Sequence, residues 1–343
     1  MARLEVLCPA LAFLFLGLGC GVPMASGTSL PSGGAGTLPA GGGGDAGTPD
    51  TGPLDGGDGG TTVTGSPDLG TYDGVVLADG PIAFLDLAHL SGTEPDLSQN
   101  DHTGTYKGGT PASATLPNGD AAADFNGSSE YLSVPSDAAL SIPTTGSLTF
   151  EAWIRPDVLQ FPNSNSGYVA WMGKCKSYAP TCEWEARMYS TVNPANRCNR
   201  LSAYAYNPGA GLGSGAFWQP ACGLLQAGAW YHVVGEFTTQ LEPASCPNAG
   251  TYPGSIDIWV NGVEWDQAVH NPTGCMSQYS VVPVAGDSPV LIGTMALDSF
   301  FAGAIGKVAI YDHVLSASQI AHHYQAMTGQ GPSGSCADTC SLP

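Results

Sequence analysis

The stretch from 290 to 327, VLIGTMALDSFFAGAIGKVAIYDHVLSASQIAHHYQAM, reads as short strands followed by one capped helix, which is how an all-β domain closes. Val308, Ile310 and Tyr311 lie in a run of β-formers after Gly303 and Gly306. Ser316 then opens the run S-A-S-Q, a capping box in which its hydroxyl accepts from the Gln319 N–H while the Gln319 side chain reaches back. Ile320, Tyr324 and Met327 recur on one face of the helix that follows. His322 and His323 are adjacent on that helix and diverge by about 100°, too far to hold one metal, so both are expected at the surface.

Upstream, apolar and polar residues alternate. In LTFEAWIR (148–155), Leu148, Phe150, Ala152 and Ile154 point one way and Thr149, Glu151, Trp153 and Arg155 the other, the pattern of a half-buried strand. EWEARMYS (183–190), RLSAYAY (200–206), WYHVVGEF (230–237) and SIDIWV (255–260) repeat it. Asn126-Gly127 and Asn261-Gly262 are type I′ hairpin signals. Many antiparallel strands, tight turns and a single terminal helix predict an all-β fold: a two-sheet antiparallel jelly-roll sandwich with a short C-terminal helix.

The ends of the chain differ from this. Residues 1–19 carry Arg3 and then the apolar run Leu11 to Leu18, an export signal too short to span a bilayer. Cys20 after Gly19 resembles a bacterial lipobox, which implies lipidation at Cys20 and attachment at the cell envelope; cleavage near Ala25 and release as a secreted protein is the alternative. Between 21 and 70 there are 17 Gly, 6 Pro and no aromatic residue, so little apolar area opposes the entropy of an open chain. Residues 20–70 are expected to be a disordered tether, 71–329 one sandwich domain and 330–343 a cysteine-containing tail. With 9 Lys and Arg against 29 Asp and Glu, net charge −20, the chain does not suit a nucleic-acid backbone. Membrane contact is expected only through the N-terminal lipid, and the oligomeric state stays open.

Apart from Cys8 and Cys20 there are eight cysteines: Cys175, Cys182, Cys198, Cys222, Cys246, Cys275, Cys336 and Cys340. An even set in an exported chain points to disulfides, and the spacings are not those of a zinc site. Spacing leaves the connectivity open. Neighbour pairing (175 with 182, 198 with 222, 246 with 275, 336 with 340) is the expected one, because each pair brackets a Gly, Pro and Asn-rich insertion.

Six segments in register carry a family resemblance. IAFLDL (82–87) with PDLSQNDHTGTYKGG (95–109), ADFNGSSEYLSVP (123–135), LTFEAWIRP (148–156), GAWYHVVGEF (228–237), IDIWVNG (256–262) and LIG (291–293) resemble, in order, the laminin G-like domains of the concanavalin A-like lectin and glucanase superfamily. The closing segment is similar to the pentraxin version, with Gly306 and Lys307 where an Asp-Glu pair is usual. The resemblance implies rim loops that can bind calcium through hard oxygen ligands. Asp298 resembles the last acid of the pentraxin calcium loop, and Asp96, Asn100 and Asp101 form a second acidic loop. Glu151 falls at a position usually acidic in the family without being catalytic.

Catalysis finds less support. Glycoside hydrolysis needs two carboxylates about 5 to 9 Å apart across the bond. Glu183 and Glu185 are the nearest approach and are expected on a solvated strand face. No G-x-S-x-G elbow is present. Trp153, Trp230 and Trp259 fall at core-strand positions, whereas Trp171, Trp184, Trp218 and Trp265 lie in or beside insertions. Phe217 and Trp218, among Gly and Pro, are the expected sugar-stacking pair. The expectation is a non-catalytic, surface-tethered module that binds glycan or a surface protein. A concanavalin A-like glycoside hydrolase and a structural envelope protein are the alternatives.

Overall fold

In the computed structural model, which describes residues 68–161, 167–175, 182–192, 197–206, 214–220, 225–240, 245, 254–265 and 281–333, the alternating segments are strands. In chain order these are β1 (Ala83–Leu85), β2 (Thr93–Glu94), β3 (Gly104–Lys107), β4 (Ala112–Thr115), β5 (Ala121–Asn126) and β6 (Tyr131–Val134). There follow β7 (Ser147–Pro156), β8 (Tyr168–Cys175), β9 (Cys182–Tyr189), β10 (Leu201–Ala205), β11 (Ser214–Trp218) and β12 (Tyr231–Thr238). The last are β13 (Ser255–Val260), β14 (Val263–Glu264), β15 (Val290–Ile292), β16 (Thr294–Met295), β17 (Ser299–Phe300) and β18 (Ala302–Tyr311). Three short helices accompany them: α1 (Tyr72–Ala78), α2 (Ile142–Thr145) and α3 (Ala317–Thr328).

The strands build two eight-stranded antiparallel sheets. The back sheet runs β14-β13-β12-β7-β18-β5-β4, with β1 also paired to β18. The front sheet runs β11-β10-β9-β8-β15-β6-β3-β2. Neighbours distant in sequence, such as β7 beside β18 and β8 beside β15, make this the jelly-roll sandwich expected. Asn261 (φ 55°) and Gly262 (φ 75°) take the positive values of a type I′ turn between β13 and β14. Asn126-Gly127 is not the hairpin expected: it leads from β5 of the back sheet to β6 of the front sheet, and Gly127 (φ 69°) takes a positive φ while Asn126 does not.

Phe150 of β7 anchors the space between the sheets. Its ring lies 5.8 Å from Trp171 edge-on, 5.9 Å from Trp184 stacked and 5.9 Å from Phe237. Directly opposite it stands Gly235, where a Cβ would meet the Phe150 ring at 2.4 Å, so only glycine admits this packing. Trp171 and Trp184, placed by sequence in or beside insertions, are fully buried in this core.

The sequence expectation for β7 needs correction. Both of its faces are buried, not one. The second face is covered because α1 and α3 pack over the back sheet, bringing Tyr72, Val76, Ile320 and Met327 against Trp153, Val234, Trp259 and Tyr311. The capping box at Ser316 and Gln319 forms as read and starts α3 at the point that allows this docking. His323, expected at the surface, is fully buried under α3. Lys307 occupies a bulge of β18 at φ 53°, and its ammonium reaches Asp73 of α1 at 2.6 Å and Asp120 at 2.9 Å. The lysine that replaces the usual acid therefore fastens the first helix to the sheet.

Cys175 and Cys182 are joined, closing the β8–β9 hairpin as expected, and Cys198 is also in a disulfide. Cys20, the export signal and residues 20–67 of the tether lie outside the described residues, as do Cys222, Cys246, Cys275, Cys336 and Cys340.

Candidate ligand-binding face

The outer face of the front sheet gathers rings and guanidinium groups by simple strand alternation. Register places Tyr168 opposite Tyr189; Ala170, Arg187, Ser202 and Phe217 in the next outward row; and Gly173, Glu185, Tyr204 and Gly215 in the row after. Val169, Met188, Leu201 and Trp218 form the intervening row, which points into the core. In the Arg187 row large side chains alternate with Ala170 and Ser202, and in the next row Gly173 and Gly215 flank Glu185 and Tyr204. The glycines leave room for these side chains, since a Cβ at Gly215 would meet the Tyr204 ring at 2.8 Å and one at Gly173 would meet Glu185 at 2.9 Å.

Arg187 is the centre of this arrangement. Its guanidinium carbon lies 3.6 Å from the Tyr204 ring centroid and 4.6 Å from that of Tyr168, a cation–π sandwich. Its Nε donates to Glu185 Oε1, and its Nη2 donates to the Tyr206 hydroxyl at 3.0 Å. The Tyr206 hydroxyl donates in turn to Glu185 Oε1 at 3.0 Å. Burial pushes the Tyr206 phenol up to about 12, so it stays protonated and remains a donor. Glu185 Oε2 is buried with no hydrogen-bond partner among the described residues.

Two further arginines flank the tyrosines. Arg200 lies 3.6 Å over the Phe217 ring and donates to Gln219 Oε1 at 3.0 and 2.6 Å. Arg197 is exposed, with its guanidinium 5.7 Å from the Tyr189 ring and Nη1 3.5 Å from the Tyr189 hydroxyl. Burial would raise the Tyr189 phenol, yet Arg187 and Arg197 outweigh it and hold it below its ordinary value. Tyr168, Tyr204 and Phe217 are only half-buried, so rings and cations meet solvent together. The β16–β17 hairpin walls one side, where Met295 packs on Ala170 and Tyr206.

Of the expected stacking pair, Phe217 faces outward and belongs to this surface. Trp218 does not share its face, because neighbours on a strand point oppositely. Its ring lies half-buried against the core, 6.2 Å from Tyr231 and 6.3 Å from Trp265.

Glu183 and Glu185 are not on a solvated face; both are fully buried. Glu183 Oε1 accepts from Lys174 Nζ at 2.7 Å, the Gly286 N–H at 2.8 Å and the Ser141 hydroxyl at 3.0 Å. Each acid is thus bound to its own buried cation, the reverse of two carboxylates facing an open cleft.

The residues expected to bind calcium fall on two separate loops. Asp96 organises the loop before β3: Oδ1 accepts from the Phe84 N–H at 2.9 Å, the Ser98 N–H at 3.0 Å and the Ser98 hydroxyl at 2.7 Å, and Oδ2 from the His102 N–H at 3.0 Å. Burial would raise its carboxyl, but His102 and these donors hold it well below the usual range. Asn100 donates to the Ile82 carbonyl at 3.1 Å, and Asp101 is exposed at φ 64°. Asp298 is exposed in the β16–β17 turn. Among the described residues, the side chains that do approach one another closely enough for a shared ion are Asp86, His89 and Glu94, whose ligand atoms lie within 4.8 Å.

Two stacked antiparallel sheets with a ring-and-arginine outer face describe a lectin-like jelly roll. The sequence signature of the concanavalin A-like lectin/glucanases superfamily (Laminin_G_3) matches residues 126–321, and the chain belongs to that superfamily. No curated protein matches it in sequence. Among solved structures, it is similar to domain 4 of AbnA, a GH43 extracellular arabinanase from Geobacillus stearothermophilus, in complex with arabinotriose. That likeness has 17% identity over 71% of this chain and 98% of the other, with TM-score 0.47. A mutant of HCR/D matches at 12% identity over 73% of this chain and 52% of its own, TM-score 0.50. The botulinum neurotoxin serotype D ligand binding domain in complex with N-acetylneuraminic acid matches at 11% identity over 73% and 52%, TM-score 0.49. The chain spans about half the length of these last two. At such identities the likenesses concern the fold alone.

Proposed function

We propose that the chain is a non-catalytic binding module whose outer front-sheet face takes glycan. The observation that carries this is the alternation on β8–β11 that leaves Tyr168, Tyr204 and Phe217 half-buried beside guanidinium groups. An aromatic ring covers the apolar C–H face of a pyranose, while arginine donors meet its hydroxyls. The burial of Glu183 and Glu185 in ion pairs weighs against the glycoside hydrolase alternative, and a purely structural envelope protein has no use for such a face.

The composition of residues 1–70 supports export, lipidation at Cys20 and a tether that holds the sandwich off the envelope surface. Metabolic acyl labelling of wild type and Cys20→Ser tests that part separately. Binding is tested by screening the mature protein on a glycan array with and without calcium, which also addresses Asp96, Asn100, Asp101 and Asp298. Binding that is lost in Tyr204→Ala, with no release of sugar over long incubation, supports the reading. Hydrolysis of any bound glycan returns the hydrolase alternative to first place.

A further inference from the structure

Asp86, His89 and Glu94 converge although their strands belong to different sheets. Asp86 follows β1 in the back sheet, where its carbonyl accepts from the Lys307 N–H at 3.3 Å, and Glu94 ends β2 at the edge of the front sheet. Between them Leu87 and Leu90 take φ of 59° and 63°, and the chain curls back so that the His89 N–H donates to Glu94 Oε2 at 3.1 Å. The Tyr106 hydroxyl donates to the same oxygen at 2.8 Å. Two donors thus hold Oε2 and leave Oε1 turned toward the imidazole, whose Nδ1 lies 3.2 Å away. The Asp86 ligand atom lies within 4.8 Å of both of the others. Glu94 is fully buried, yet among the described residues its one ion pair is to His89, and no Lys or Arg reaches either acid.

From this convergence we infer a binding site for a divalent transition-metal ion of the zinc type, with His89 Nδ1, Glu94 Oε1 and an Asp86 carboxylate oxygen as its ligands. A neutral imidazole beside two carboxylates suits zinc, whereas calcium and magnesium prefer oxygen alone. Zinc bonds of about 2.0–2.1 Å set tetrahedral ligand atoms about 3.3 Å apart, close to the 3.2 Å between His89 Nδ1 and Glu94 Oε1. The ion takes the place of the proton shared by these two atoms. Asp86, whose carboxylate accepts from the Ala88 N–H at 3.3 Å, swings in to complete the set. The His89 side chain is 53% exposed, so the remaining coordination position opens to solvent. A bound ion therefore clips the end of β1 in the back sheet to the edge of the front sheet. β2 is the opposite edge of the front sheet from β11, so ligand binding at the ring-and-arginine face neither needs nor reports this site.

The test is calorimetric titration of the mature protein, first stripped with a chelator, with zinc chloride alone and, separately, with calcium chloride and magnesium chloride. Zinc is expected to bind one to one, about ten-fold or more tighter than either of the other ions, and to raise the melting temperature. His89→Gln, an exposed substitution expected to leave the melting temperature of the stripped protein unchanged, should weaken zinc binding by about ten-fold or more. His313→Gln serves as the control for adventitious zinc, since His313 also has an acid beside it, Asp312 at 2.9 Å, and should leave zinc binding unchanged. Zinc binding that survives in His89→Gln, that falls equally in His313→Gln, or that is absent at about 1 mM zinc overturns the site. Calcium or magnesium bound as tightly as zinc, with His89 dispensable, overturns the assigned class of ion.

Discussion

His323 Nδ1 of α3 lies 2.8 Å from Glu151 Oε2 of β7, although 172 residues separate them, and neither side chain is exposed. The same carboxylate accepts from the Tyr72 hydroxyl at 2.6 Å and the Tyr311 hydroxyl at 3.1 Å, and pairs with His232 Nε2 at 2.9 Å. His323 Nε2 meets Asp79 at 2.8 Å. One acid thereby joins both terminal helices to the back sheet, a structural use of a conventional strand position.

Removing its partner should be costly. His323→Ala leaves the Glu151 charge buried beneath a helix that has lost its polar anchor, and is expected to lower stability by about 3 to 5 kcal/mol. Urea unfolding of the variant checks this, and a loss under about 1 kcal/mol would show that the pair does not hold α3.

The network also sets a pH dependence. Burial would raise the Glu151 carboxyl, but His323 and His232 outweigh it and hold it well below 4.5. Its contribution is therefore complete above pH 4.5 and lost as pH falls through the folded value. Burial would lower His323, but Glu151 and Asp79 outweigh it and raise it above 6.5. That contribution is complete below pH 6.5 and lost as pH rises through the folded value. Glu236, pushed by burial from 4.5 to about 8, acts in the same direction, since the folded state keeps a proton that the unfolded chain releases. Melting temperature is expected to be highest near pH 5 and to decline toward pH 8, less steeply in Glu236→Gln. A flat profile from pH 5 to 8 would contradict these assignments.

Glu183 and Glu185 should respond to neutralisation as buried partners do. Glu183→Gln leaves Lys174 without a counter-charge and Glu185→Gln does the same to Arg187, each at about 3 to 5 kcal/mol. Replacing both members of a pair, as in Lys174→Met with Glu183→Leu, should cost less than the single Glu183→Gln change, because no uncompensated charge is left. Denaturant midpoints of the three variants decide it.

Phe217 and Trp218 should separate cleanly. Phe217→Ala is expected to weaken a bound glycan by about 1 to 3 kcal/mol with little change in melting temperature, since the ring lies on the outer face beneath Arg200. Trp218→Ala should instead reduce stability by about 2 to 3 kcal/mol, below the loss for a fully buried tryptophan. Reversed results, with binding lost on truncating Trp218, would return the sugar platform to the inner row.

The alternation in EWEARMYS already put Glu183, Glu185, Arg187 and Tyr189 on one face, and RLSAYAY did the same for Tyr204 and Tyr206. That signal could have identified the ring-and-arginine face. The insertions around it obscure the pattern, and Phe217-Trp218, contiguous within them, cannot share a face because strand geometry sends neighbours apart. His323 was illegible for a related reason: helical spacing separates it from His322 but does not say which of the two meets the sheet.

Local chemistry determined the strands, the type I′ turn at Asn261-Gly262, the capping box at Ser316 and hence the sandwich, because period-two alternation and terminal hydrogen bonds are encoded within a few residues. Tertiary structure alone decided what covers each face. Periodicity states that Glu151 and Trp153 share a side; only the docking of α1 and α3 made that side a buried polar network rather than a solvated surface, and only the pairing of β9 with β8 and β10 brought Arg187 between Tyr204 and Tyr168. Burial is a property of contacts between distant segments, so the charge state of a side chain cannot be read from its neighbours in sequence.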